Sequence, residues 1–187
     1  MRPTLVLLIV LAMVILHVHA TSPGTDVPVT TQEKIANALA AGPTAITKDA
    51  TVFEWPGHEG DAPPVLRQGS SSWTCFVDDP SWPGNDAMCI DPEWQAWYRA
   101  YMTKQTPPPP KRMGVGYMLT VDTYVSNTDP YAMEATPDNQ WHKAAPHVML
   151  LVPDPTMLDG FPTDPTGGGP YVMYKGTPFA HLMVPIK

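Results

Sequence analysis

His147-Val-Met-Leu-Leu-Val-Pro153 and His181-Leu-Met-Val-Pro185 decide how this chain is read. Each opens on histidine, places methionine two residues later and closes at Val-Pro. Neither alternates apolar with polar residues, so both are expected to be buried on two faces, as interior strands of a sheet are. Successive strand side chains point to opposite faces, which puts His147 with Met149 and His181 with Met183. If the two strands pair or lie close, two imidazoles and two thioethers share one side of the sheet. That is a ligand set copper accepts, thioether sulfur favouring Cu(I). His142, in the segment just before, adds a possible third nitrogen. The competing reading is a core in which methionine fills irregular gaps and each histidine is hydrogen-bonded to backbone or to a carboxylate.

The rest of the chain reads as short strands between proline-rich turns. Strand composition recurs at 51–55, 65–67, 73–76, 114–120 and 171–174. The pair 65–67 and 73–76, flanking Gln68-Gly-Ser-Ser-Ser72, predicts a hairpin, and residues 121–146 carry loop chemistry. Thr30-Thr31-Gln32-Glu33 is a capping box that opens a helix stopped by Gly42-Pro43. Asp91-Pro92-Glu93 caps a second helix to about residue 104. In that helix Trp94, Trp97, Tyr98 and Tyr101 fall on one face, the spacing of a packed core stripe, with a carbohydrate or cofactor platform as the alternative. The expected fold is α+β: one domain over 31–187, a mostly antiparallel sheet, two helices and one disulfide.

The first residues, MRPTLVLLIVLAMVILHVHA, have the layout of a secretory signal peptide. Arg2 precedes the apolar run Leu5–Leu16, and Val18 and Ala20 are the small residues before a cut at Thr21. The run is short of the ~20 residues a spanning helix needs. Residues 21–30 read as a flexible lead, and no further apolar run of spanning length follows. The expected location is therefore periplasmic or secreted, after cleavage near Ala20. In such a compartment Cys75 and Cys89 read as a disulfide closing one short loop. A thiol nucleophile or a metal-thiolate pair is the alternative, and the spacing matches neither C-x-x-C nor a zinc finger.

The chain has 187 residues, with 43% hydrophobic, 16% charged and 24 prolines, which is globular composition in a single-domain length. Its formal charge of -7 argues against nucleic acid and against anionic membrane surfaces as partners. Asp-Pro recurs at Asp79, Asp91, Asp129, Asp154 and Asp164, where aspartate caps a turn and proline fixes φ. A calcium site around Asp78, Asp79 and Asp86 would lack the usual alternating-oxygen motif.

The stretches WTCFVDDPSWPGNDAMCID, SNTDPYAMEATPDNQWHKAAPHVMLLVP and GGGPYVMYKGTPFAHLMVP resemble a family of exported bacterial proteins of no established activity. The resemblance spans the chain from about Pro43 onward. It implies a bacterial, periplasmic or extracellular setting and assigns no catalytic residue.

Three functions are weighed on this basis. The first is a non-catalytic binding or envelope-associated module taking a small molecule or an envelope component, with Trp141 as a possible contact. The second is copper binding through His147, His181, Met149, Met183 and His142. The third is a hydrolase in which His147 or His181 acts as general base beside Asp122, Asp129 or Asp164. No G-x-S-x-G elbow or H-E-x-x-H accompanies the third.

Overall fold

The computed structural model describes residues 30–56 and 61–186. The signal-peptide reading of 1–20, the lead up to residue 29, His58 and Lys187 lie outside the described residues. Along the chain run α1 (Thr31–Ala40), α2 (Thr44–Thr47), β1 (Thr51–Phe53), β2 (Val65–Arg67), β3 (Thr74–Phe76), β4 (Gly84–Asn85), β5 (Met88–Ile90) and α3 (Pro92–Met102). These are followed by β6 (Gly114–Met118), β7 (Asp122–Ser126), β8 (Trp141–Lys143), β9 (His147–Leu151), β10 (Tyr171–Met173) and β11 (His181–Pro185). Two single 3-10 turns, Pro155–Leu158 and Pro165–Gly167, each start at an Asp-Pro whose aspartate accepts from the threonine backbone N–H two residues on.

The described residues form one α+β domain, built on an eight-stranded sheet in the order β10-β11-β9-β6-β5-β3-β1-β2. Every pairing is antiparallel except β1 with β3. β9 and β11 lie inside the sheet, as their unbroken apolar composition requires. Both helix starts follow the capping chemistry. Thr30 Oγ1 accepts from Glu33 N–H while the Glu33 carboxylate accepts from Thr30 N–H. Asp91 accepts from Trp94 N–H with one oxygen and from Val115 N–H with the other, which binds the start of α3 to β6.

The structure departs from the sequence expectation in three places. The expected hairpin between β2 and β3 does not form, because β1 lies between them. Arg67 on β2 donates to the carbonyls of Thr47, Lys48 and Ala50 around the end of α2, drawing β2 to the far side of β1. The turn that follows passes so close to α2's exit that a Cβ on Gly69 would sit 2.3 Å from the Ala50 carbonyl carbon. Next, the segment 121–146 is not all loop. β7 and β8 join β4 in a second, three-stranded sheet. Its two fully buried positions on β7, Thr123 and Ser126, lie on opposite faces and each donates to a backbone carbonyl, while the half-buried Val125 packs on the core, so no regular apolar alternation marks the strand. Finally, α2 adds a single helical turn after Pro43, too short to carry a periodic signal.

Cys75 and Cys89 form the disulfide, both fully buried and directly opposite on β3 and β5, with Cα atoms 4.0 Å apart. The bridge joins two neighbouring strands within the sheet. It closes the loop that carries Asp78, Asp79 and Asp86 and removes both sulfurs from nucleophilic or metal chemistry. A crosslink over a loop of this length is worth about 3 kcal/mol.

α3 packs on one face of β5, β6, β9 and β11. Trp94, Trp97 and Tyr98 are buried, so the aromatic stripe is core. The helix sits close because β6 has no side chain beneath it: a Cβ on Gly116 would lie 2.8 Å from Met149 Cε and 3.5 Å from Trp94 Nε1.

Candidate functional site

The register of β9 against β11 positions the histidine and methionine side chains. Met183 lies opposite Met149, and Pro185 lies opposite His147. On the other side of β11, Met173 lies opposite His181 and Tyr171 opposite Met183. Directly opposed residues share a face, so His147, Met149, Met183 and His181 all point to the side covered by α3. Two strands of like sequence would place both histidines at the same end only if they ran parallel. Here they run antiparallel, so the imidazoles enter from opposite ends with the methionine pair between them.

The two imidazoles are held in the same way. His147 Nδ1 lies 2.6 Å from the Ala145 carbonyl oxygen, and His181 Nδ1 lies 2.9 Å from the Phe179 carbonyl oxygen. A carbonyl only accepts, so Nδ1 carries the proton and Nε2 keeps its lone pair. Both Nε2 atoms are buried without a hydrogen-bond partner, and the side chains are 3% and 2% exposed. Burial pushes both groups down to about 4, and a charge on His147 would depress His181 further. Both are neutral at physiological pH. Trp94 and Trp97 roof His181 edge-on, with ring centroids 5.0 and 5.6 Å away, and their own indole N–H groups also lack acceptors.

His142 stands apart, on β8. Its Nδ1 faces the Gln140 carbonyl oxygen and its Nε2 is 3.2 Å from the Tyr171 hydroxyl, so that lone pair is already engaged. Among the described residues no group of three or more His, Cys, Asp or Glu side chains is placed to hold a metal ion. The donor-bearing side chains that share this face are the His147 and His181 imidazoles and the Met149 and Met183 thioethers.

Of the aspartates weighed as partners for a basic histidine, Asp122 pairs with Lys143, while Asp129 and Asp164 accept from nearby backbone N–H groups. None is hydrogen-bonded to His147 or His181. Trp141 packs beside Trp82 across the small sheet, ring centroids 6.2 Å apart.

One cluster emerges that spacing alone did not single out as a proton-sharing pair. Inside the disulfide loop, Asp86 N–H donates to Asp78 Oδ1 and Asp79 N–H donates to Asp86 Oδ1, both at 2.8 Å. The two carboxyls also hydrogen-bond one another, and burial, the largest cause, pushes Asp86 up to about 8. Asp86 therefore holds a proton when folded that the unfolded chain has released above about pH 4. Its contribution to stability is present at low pH and is lost as pH rises toward 8. In Asp86→Asn the amide oxygen still accepts from Asp79 and the amide N–H replaces the acid proton. Thermal unfolding should show this variant more stable than wild type by about 1–2 kcal/mol at pH 8, with the gap closing toward pH 4.

No protein-family model, curated protein or solved structure matches this chain.

Proposed function

We propose that the chain is an exported, non-catalytic binding protein whose ligand is monovalent copper, taken by the thioethers of Met149 and Met183 with Nε2 of His147 or of His181, the imidazoles that flank that pair at either end. One observation carries this reading. Two buried imidazoles on the face that bears the methionine pair each donate Nδ1–H to the carbonyl two residues back, leaving an unpartnered Nε2. A backbone acceptor on the far nitrogen is how proteins fix the tautomer of a metal-binding histidine. Neutral imidazole and thioether are the donor types Cu(I) favours over harder cations, and ligands already free of protons bind without competition from acid. The buried disulfide supports an oxidising compartment, and no described helix is long and apolar enough to cross a membrane. The leader-like N-terminus and the resemblance to exported bacterial proteins point the same way.

Anaerobic titration with Cu(I) against a chromogenic chelator tests it, with ascorbate as reductant so that the disulfide is spared. Wild type should take up one copper per chain. The double variant His147→Phe/His181→Phe, which keeps an aromatic ring and removes both nitrogens, should bind at least tenfold more weakly. His142→Phe should bind like wild type, because its Nε2 is engaged by Tyr171. Equal affinity in wild type and double variant overturns the reading.

A further inference from the structure

The three-stranded sheet has an inner and an outer face, which alternation along β7 and β8 separates. Val125 packs on the main core, and His142, directly opposite it, meets the Tyr171 hydroxyl, so this parity points inward. Asp122, Tyr124, Trp141 and Lys143 have the other parity and point outward. Trp82, from the turn before β4, lies beside Trp141, with ring centroids 6.2 Å apart and planes tilted by 44°. Tyr124, opposite Lys143, is 51% exposed, and Asp122 and Lys143 form an ion pair at the surface. The same pair lines a cleft of about 470 Å³, completed by Val121, Ala144, Ala145 and Pro146, which is the size of a small-molecule site. We propose that this outer face binds a neutral oligosaccharide, its sugar rings lying on Trp82, Trp141 and Tyr124 and its hydroxyls meeting Asp122 and Lys143.

The chemistry of the face selects the ligand. A pyranose ring has a C–H face that packs on an aromatic plane and a rim of hydroxyls that both donate and accept. The outward positions of β7 and β8 carry no Val, Leu, Ile or Met to interdigitate with an apolar partner. Beside the rings they offer a carboxylate that accepts and an ammonium that donates, with charges that cancel. A polyanion would meet Asp122 and a chain of net charge -7, and a polycation would meet Lys143. From Asp122 to Ser126 the strand runs about 13 Å, the length of a short oligosaccharide. The rings are also held in advance. Trp82 N–H donates to the Asp79 carbonyl, Thr123 Oγ1 donates to the Pro83 carbonyl, and the Cys75–Cys89 bridge closes the loop that carries Trp82. That order lowers the entropy lost on binding. The face lies on a different sheet from His147 and His181 and needs no copper.

Calorimetric titration of the copper-free protein with cellohexaose, maltohexaose and chitohexaose tests it, with a galacturonate hexamer as the anionic control. At least one neutral hexamer should bind with Kd below about 1 mM. The galacturonate hexamer should bind at least tenfold more weakly. Trp82→Ala and Trp141→Ala should each weaken the neutral sugar about tenfold, the loss of one ring contact. Trp141→Phe, which keeps a ring face, should recover most of that loss. Tyr124→Ala, at the most exposed of the three rings, should weaken binding at least threefold whatever Trp141→Ala does to folding. Tyr131→Ala, which removes an exposed ring stacked on Tyr101 of α3 instead, should bind like wild type. No binding of any neutral hexamer, equal binding of galacturonate, or wild-type affinity in both Trp82→Ala and Tyr124→Ala overturns the proposal. So does self-association in place of sugar binding, seen by sedimentation and abolished by Tyr124→Ala, which would make the face a contact between copies.

Discussion

Acidification from pH 6.5 to about pH 4 should destabilise this protein more steeply than its surface carboxylates account for, and His147 and His181 should be the cause. Burial lowers both from 6.5 to about 4 in the folded state. As pH falls through 6.5, the unfolded chain binds two protons that the folded chain refuses, so unfolding is drawn forward. The contribution is present above about 6.5, lost progressively toward 4, and no longer changing below that. Each histidine is worth about 1.4 kcal/mol per pH unit inside that window. Asp86 works in the opposite sense over an overlapping range, so the stability maximum should fall near pH 6–7. Urea unfolding from pH 4.5 to 8 in wild type and His147→Phe/His181→Phe measures this. The double variant should flatten the acid limb and leave the alkaline limb in place. An acid limb of unchanged slope would show that these imidazoles are not neutral inside the fold.

Removing the indole at the centre of the α3 contact should have the next largest effect. Trp94 is buried to 2% exposure and packs on Trp97 and His181, while Gly114 and Gly116 bring the sheet backbone up beneath it. Trp94→Ala should cost about 3–5 kcal/mol, toward the upper end because a sheet of paired strands collapses little into the space left behind. Trp94→Phe should cost less than half as much, since the indole N–H has no bonded partner to lose. Guanidinium unfolding distinguishes the two through the midpoint, with the slope unchanged if unfolding stays two-state. A cost below 1 kcal/mol for Trp94→Ala would mean that α3 is held chiefly by its cap at Asp91.

What the amino-acid order determined by itself is local. The apolar runs at 147–151 and 181–185 were enough to place β9 and β11 inside the sheet, because a strand without polar alternation has no face to give to water. The capping patterns at Thr30 and Asp91 located both long helices, since those hydrogen bonds close within three residues. Pairing and relative direction were decided by contacts far apart in sequence. β1 separates β2 from β3 through Arg67 and Gly69, which no turn between them announces. β7 fully buries only Thr123 and Ser126, both on backbone carbonyls, so its hydrophobic signature is weak. The two His-x-Met motifs look interchangeable as sequence, yet their antiparallel register sets the histidines at opposite ends of the methionine pair. Neutral imidazoles and a protonated Asp86 are likewise products of the fold. A side chain's charge depends on the water and partners left around it, and only the packed tertiary structure determines those.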